Sequence, residues 1–222
     1  MPRVLPRGWG LPLTALTVVV ALIAVIVYAV IQSTQGTDWA DVMAPRQTGP
    51  VDEEQDQSSV LPGQWIDPVA RYPDSAPRVQ GVVPFCEGGE QELDSSGKPT
   101  CYASNPPTSG PHNASPASWG IHEADHPVPK EDFLHNMERG GVVVAYNCAG
   151  CEDVVNSLRE IVGAYADGGR LVVLTPYPEM EPDTIALASW SRLDKFSISE
   201  FEQDRVRRYV EAHERRFNPE GL

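Results

Sequence analysis

The sequence predicts a mixed α/β (α+β) domain: one small sheet with two or more helices, a long Pro-rich loop and disulfides, behind an N-terminal transmembrane helix. Three observations lead there. An uncharged apolar stretch opens the chain, and a strand–helix–strand pattern of hydrophobic residues fills its second half. Between them lies a segment dominated by Pro, Ser, Gly, Asn and His.

The opening stretch runs without charge from Gly8 to Ile31 and is almost wholly apolar from Leu11. About 21 helical residues at 1.5 Å each span roughly 30 Å, the thickness of a bilayer's hydrocarbon core. Trp9 and Tyr28 lie near its ends, where amphipathic rings favour the interface. Arg3 and Arg7 precede it and Asp38 and Asp41 come after it. The positive-inside rule then makes residues 1–8 a cytoplasmic tail, 9–32 a plasma-membrane anchor, and the rest a domain on the outer (periplasmic) face. A cleaved signal peptide would carry a shorter apolar region and a small-residue cleavage site. Residues 28–32, Tyr-Ala-Val-Ile-Gln, offer none.

Charge follows the same division. The 222 residues contain 17 Lys+Arg and 31 Asp+Glu, a net charge of −14. Only Arg3 and Arg7 fall before residue 33, so residues 33–222 hold 15 basic and 31 acidic side chains, net −16. Such a surface repels phosphate backbones, which excludes nucleic acid as a partner.

Residues 33–78 read as a Pro-rich acidic tether. Pro45, Pro50, Pro62, Pro68, Pro73 and Pro77 interrupt them, and Asp52, Glu53, Glu54 and Asp56 form an acidic patch. No sustained period of 3.6 or 2 is present to offset the entropy of ordering. Trp65 and Ile66 are the residues suited to docking on the neighbouring domain. Residues 79–222 are then the extracytoplasmic domain, large enough for one core.

Within that domain Gly81–Phe85 and the stretch near Cys101–Tyr102 read as short strands joined by a polar turn. Residues 103–130 read as an extended irregular loop. Gly141–Tyr146 is a continuous apolar run, hence a buried strand. Val154, Val155, Leu158, Ile161, Val162 and Tyr165 recur at helical spacing until Gly168-Gly169. Leu171–Leu174 and Ile185–Trp190 read as two further strands. Residues 199–202, Ser-Glu-Phe-Glu, have a capping-box pattern before a last helix faced by Val206, Tyr209, Val210, His213 and Phe217.

Cys86, Cys101, Cys148 and Cys151 lie after the anchor, in an oxidising compartment by this topology. Three pairings are open. Cys86–Cys101 is the readiest, flanking one polar turn, and leaves Cys148-Ala149-Gly150-Cys151 as the second bridge. That C-x-x-C stands between a buried strand and an amphipathic helix, where a thioredoxin-like fold carries its redox motif. Against catalysis, Glu152 and Asp153 come immediately after it and would raise a thiol pKa, and no earlier βαβ half is evident. A structural staple is the plainer reading.

His122-Glu123-Ala124-Asp125-His126 matches the zinc-protease pattern H-E-x-x-H, which works only on a helix. Pro127 disfavours helical geometry at His126, and Gly120 and Pro129 leave no room for a helix. A broader metal reading rests on His112, His122, His126 and His135 within 24 residues, beside Glu123, Asp125 and Glu138. Imidazoles with carboxylates suit zinc, copper or iron, so His112, His135, Glu138, His122 and His126 are the candidate metal ligands. Loop histidines more commonly hydrogen-bond backbone, and His213 reads as a packing residue. No nucleophile elbow or phosphate-cradling loop is present, and no catalytic residue is assigned. Asn113-Ala114-Ser115 is a glycosylation sequon by pattern alone.

The octapeptide Asn105-Pro106-Pro107-Thr108-Ser109-Gly110-Pro111-His112, with His135-Asn136-Met137-Glu138-Arg139-Gly140-Gly141, resembles the hallmarks of a bacterial family, domain of unknown function 3105. The resemblance covers about residue 79 to the end. It implies a membrane-anchored or secreted extracytoplasmic domain and supplies no activity. Relatives typically have His-Asn-Leu-Glu-His-Gly, so Arg139 stands here where they carry a second histidine. If relatives use that histidine as a metal ligand, either His122 or His126 substitutes here or the site binds no metal in this chain, with Arg139 beside Glu138 forming a structural ion pair instead.

The leading expectation is a binding or accessory module of a membrane-associated complex, touching other membrane proteins, with Asn105–Pro129 as its functional surface and no enzymatic activity assigned. A His-based metal-binding protein and a thiol–disulfide oxidoreductase using Cys148 and Cys151 are the alternatives.

Overall fold

The computed structural model describes residues 19, 23–25, 61–66, 82–89, 92–95 and 99–216. Residues 1–18, most of the expected anchor, the greater part of 33–78, and Phe217 lie outside the described residues. Val19, Ile23, Ala24 and Val25 are helical, and among the described residues no helix is long and apolar enough to cross a membrane.

A single six-stranded mixed sheet organises the domain. Its strands are β1 (Gln64–Trp65), β2 (Gly120–Ile121), β3 (Val142–Asn147), β4 (Val172–Pro176), β5 (Thr184–Ser189) and β6 (Arg192–Ser197), in the order β1-β6-β5-β3-β4-β2. β2 and β3 each pair with β4 in parallel, whereas β5 runs antiparallel to β3, β6 to β5 and β1 to β6. Helix α1 (Lys130–Glu138) joins β2 to β3, α2 (Glu152–Asp167) joins β3 to β4, and α3 (Gln203–His213) comes after β6.

Strand alternation sorts the core into two layers. Val143 and Ala145 of β3, with Val173, Ala186 and Ala188, pack against Phe133, Leu134 and Met137 of α1. Val142, Val144 and Tyr146, with Val172, Leu174, Ile185 and Leu187, pack against Leu158, Ile161 and Val162 of α2 and Val206, Tyr209 and Val210 of α3. Burial on both faces explains why β3 reads as an unbroken apolar run.

The expected elements from Gly141 to Trp190 are β3, α2, β4 and β5 within a residue or two. Other readings need correction. Val82–Phe85 and Cys101–Tyr102 form no regular strands; one bridge joins Phe85 to Tyr102, because prolines and the cysteine loop stop the ladder. Part of the expected 103–130 loop is β2, too short to show any period. Helix α1 goes unread in the sequence because polar residues fill most of its nine positions. β6 is likewise masked by Arg192, Asp194 and Lys195. The capping box is Ser197 with Glu200, two residues earlier than expected, and it opens a 3-10 turn over Ile198–Glu200 rather than α3.

Residues 61–66, within the stretch read as tether, belong to the fold. β1 extends the sheet beside β6, Leu61 is buried, and the Pro62 carbonyl accepts a hydrogen bond from His213 Nε2 at 2.8 Å. Burial of Leu61 and ladder bonds along β1 offset the ordering entropy that composition alone left unopposed.

Candidate metal centre

His135 and Glu138 stand three residues apart on α1, so both project from one helix face. His112 approaches that face from the Pro-rich segment. Several contacts fix this approach. Asn113 N–H donates to the Glu131 carbonyl at 2.9 Å, and Asn113 Nδ2 donates to Asp132 Oδ1 at 2.6 Å. Further along, Asn136 grips Ala117 twice: its Oδ1 accepts from Ala117 N–H and its Nδ2 donates to the Ala117 carbonyl, both at 2.9 Å. On the other side Ser191 N–H donates to the Thr108 carbonyl at 3.1 Å. Tyr102 donates its hydroxyl to the Pro111 carbonyl, and burial raises that phenol's pKa far above its ordinary value.

The octapeptide is therefore interior. Pro106 to His112 are buried throughout, with Thr108, Ser109 and His112 at 2% exposure or less. The expectation that Asn105–Pro129 forms an outer functional surface is corrected for that half. Its hydrogen bonds with α1 and with the β5–β6 turn hold it in place. The segment then delivers one imidazole to the helix.

At the centre, one ligand-type atom each from His112, His135 and Glu138 lie within 4.8 Å of one another, and all three residues are buried. Three atoms so placed share a point within about 2.8 Å of each, near metal-bonding distances of roughly 2.0–2.2 Å. His112 Nε2 is 3.0 Å from Glu138 Oε2. The rings of His112 and His135 meet edge to face at 5.4 Å between centroids, and Trp190 stands edge-on to His112 at 6.3 Å. Phe133, Leu134, Met137 and Trp190 make the surrounding layer apolar.

Hydrogen bonds set the tautomers. His112 Nδ1 lies 2.8 Å from the Gly110 carbonyl, and His135 Nδ1 lies 2.8 Å from the Asn113 carbonyl. A carbonyl only accepts, so each Nδ1 carries a proton, and in the neutral ring Nε2 is then a lone-pair donor. A backbone carbonyl fixing the far nitrogen is the usual support for a metal-ligating histidine. The 3.0 Å approach of His112 Nε2 to a Glu138 carboxylate oxygen brings two electron-rich atoms together, which a shared proton or a metal ion reconciles.

The other candidate ligands are elsewhere. His122 Nε2 donates to the Ser118 carbonyl at 2.8 Å. His126 Nδ1 pairs with Asp125 Oδ1 at 3.0 Å in an exposed turn and holds the Asp125 pKa below its ordinary value. Glu123 is taken by Arg159, with Oε2 to Nη2 at 2.6 Å, which raises the arginine's pKa further. Residues 122–126 contain no helix, as Pro127 dictates. Among the described residues the group that could hold a metal ion is His112, His135 and Glu138, and neither His122 nor His126 belongs to it. Asn113, the sequon asparagine, donates its amide to Asp132. The signal that would have assembled the trio is Pro129 before Glu131 and Asp132, a helix start that puts 135 and 138 on one face.

His213 is a packing residue, as expected: it is buried against Tyr209 at 4.4 Å between ring centroids, and burial drives its pKa down to about 3. Both expected disulfides form, Cys86–Cys101 in the interior and Cys148–Cys151 at the surface.

Neither a curated protein nor a solved structure matches the chain. A family model does, over residues 94–221, a span that holds both the octapeptide and α1. The chain with this buried histidine–carboxylate cluster thus belongs to the family described as Protein of unknown function (DUF3105).

Proposed function

We propose that this is a metal-binding extracytoplasmic domain, held to the plasma membrane by residues 9–32, with His112, His135 and Glu138 as ligands. The observation that carries the reading is the convergence of two imidazoles and one carboxylate, in a water-poor layer, with both Nδ1 atoms turned away onto backbone carbonyls. The donor set suits zinc, copper or iron. Its enclosure favours a metal that is held over one that processes substrate, because all three side chains are buried. A retained metal also fits the accessory role expected for an anchored module, and the two disulfides fit an oxidising compartment.

The test is elemental analysis of the purified full-length chain, with thermal melts before and after adding zinc, copper or iron salts. About one equivalent of metal is expected, together with a melting temperature that rises on loading. His135→Gln should abolish both effects while leaving the circular dichroism spectrum in place. A metal-free protein whose melting temperature ignores all three metals would end the reading. Membrane fractionation of the chain with and without residues 9–32 tests the anchor separately.

A further inference from the structure

The two disulfides do different work. Cys86–Cys101 joins residues 15 apart in the chain and is buried, at 8% and 2% exposure. Cys148–Cys151 spans three residues between β3 and α2, which are already held by the sheet and by the core. It restrains little that is not restrained already. It is also reachable: both cysteines are half-buried, Ala149 and Gly150 are exposed, and beyond its chain neighbours no described residue stands within 4 Å of where a Gly150 Cβ would be.

The surrounding connectivity is one that can carry a C-x-x-C motif. β2-α1-β3-α2-β4, then the β5–β6 hairpin and α3, with sheet order β2-β4-β3-β5-β6, is the thioredoxin-type arrangement with a loop replacing the helix before β5. β2 and α1 supply the earlier βαβ half that the sequence hid. In that arrangement the C-x-x-C comes after the central strand, as Cys148 comes after β3. Topology alone carries no activity, so the local chemistry must agree.

It does so in two respects, and a third feature, which weakens the thiolate, sets the direction of exchange. Cys151 is the N-cap residue of α2 and packs against the apolar layer, whereas Cys148 does not, which separates an inner from an outer sulfur. Asn147, immediately before Cys148, donates through Nδ2 to the Met180 carbonyl at 2.6 Å, and Tyr177 N–H donates to the Tyr146 carbonyl at 2.7 Å. The segment preceding β5 is thereby fixed beside the disulfide. Finally, Glu152 and Asp153 are exposed in the first turn of α2, where their charge opposes the helix dipole's stabilisation of a thiolate. Oxidising pairs owe their character to a stabilised reduced form, so this pair falls on the reducing side.

We propose that Cys148 and Cys151 form a thiol–disulfide exchange centre whose dithiol form reduces a disulfide lying among basic residues on a partner protein. The Cys148 thiolate attacks one partner sulfur; a Cys148–partner bond forms, the partner's S–S bond breaks, and the departing sulfur takes a proton. The Cys151 thiolate then attacks Cys148 Sγ, closing Cys148–Cys151 and releasing the second partner sulfur, which is protonated in turn. Two electrons and two protons pass to the partner. A protein dithiol returns the pair to its reduced state by the reverse sequence. Negative charge at Glu152 and Asp153 selects a cationic target and disfavours anionic glutathione.

The experiment uses the full-length chain. Graded dithiothreitol and then alkylation and mass spectrometry should open Cys148–Cys151 at concentrations at least tenfold below those that open Cys86–Cys101, with circular dichroism unchanged. The reduced protein should then reduce cystamine, a cationic disulfide, at least tenfold faster than oxidised glutathione, beyond the ratio shown by free dithiothreitol. Glu152→Gln with Asp153→Asn should collapse that preference. Cys151→Ala should accumulate a mixed disulfide on Cys148, and Cys148→Ala should accumulate far less on Cys151. Both bridges opening together, only as the fold is lost, would overturn the exchange centre. Equal rates with the two disulfides would overturn its charge selection.

Discussion

His112 and Glu138, 26 residues apart in the chain, meet at 3.0 Å with neither side chain exposed to solvent. A loop histidine and a helix carboxylate have been taken out of water together, which is costly unless each answers the other. Removing one partner should therefore hurt more than losing one hydrogen bond. In the metal-free protein Glu138→Ala is expected to cost about 3–5 kcal/mol, since it leaves a buried imidazole without its carboxylate. Glu138→Gln, which keeps size and one acceptor, should cost less. Urea unfolding of the two variants beside the parent measures the difference.

The surface histidines provide the contrast. His122→Ala and His126→Ala should leave metal content and melting temperature as in the parent. His126 and Asp125 are 83% and 76% exposed and pair with each other at the surface. Loss of bound metal in either variant would mean that the loop histidines, and not Glu138, complete the site.

Much of the fold was legible in the residues alone. The Val142–Ala145 run, the 3.6-residue recurrence from Val154 to Tyr165 and the four cysteines pointed correctly to β3, α2 and the bridges, because burial on one face or both imposes a period that sequence displays. His112, His135 and Glu138 were candidates by residue type. Their assembly was not legible, for two physical reasons. The chain path that brings His112 to α1 is set by side chain–backbone bonds such as Asn136 to Ala117, which leave no period. Helix α1 itself buries Lys130, Glu131, His135, Asn136 and Glu138, so a pattern search sees a polar surface segment where the structure has an interior helix.

Gly141 is a point where the site depends on close approach. A Cβ there would lie 2.5 Å from a ring carbon of Trp119 and 2.7 Å from the Asn136 carbonyl oxygen. Gly141 N–H already donates to that carbonyl at 2.9 Å, ending α1 and turning the chain into β3. Neither a packed indole nor a helix backbone can retreat by the required distance without disturbing Asn136, which anchors the segment carrying His112. Gly141→Ala is expected to destabilise the fold by about 1–3 kcal/mol and to weaken metal binding as well. Denaturant midpoints and metal titration of the variant would read the two effects separately.

His213 gives a pH dependence with a definite sign. Its Nε2–H donates to the Pro62 carbonyl, its ring lies on Tyr209, and Arg192 and Arg216 add positive charge nearby. Burial, the largest cause, holds the folded pKa at about 3, against 6.5 for the free side chain. Below pH 6.5 the unfolded chain takes up a proton that the folded chain refuses, so unfolding is favoured as pH falls. The contribution of a neutral His213 is therefore full above pH 6.5, shrinks between 6.5 and about 3, and is gone below that. Its size is on the order of a few kcal/mol, enough to loosen α3 from the Leu61–Ile66 segment in mild acid. His213→Gln retains an amide donor for Pro62 and cannot titrate. Urea midpoints of this variant should fall less steeply from about pH 6.5 to 4 than those of the parent, by up to one proton in slope. Parallel pH profiles would show that another group governs acid sensitivity.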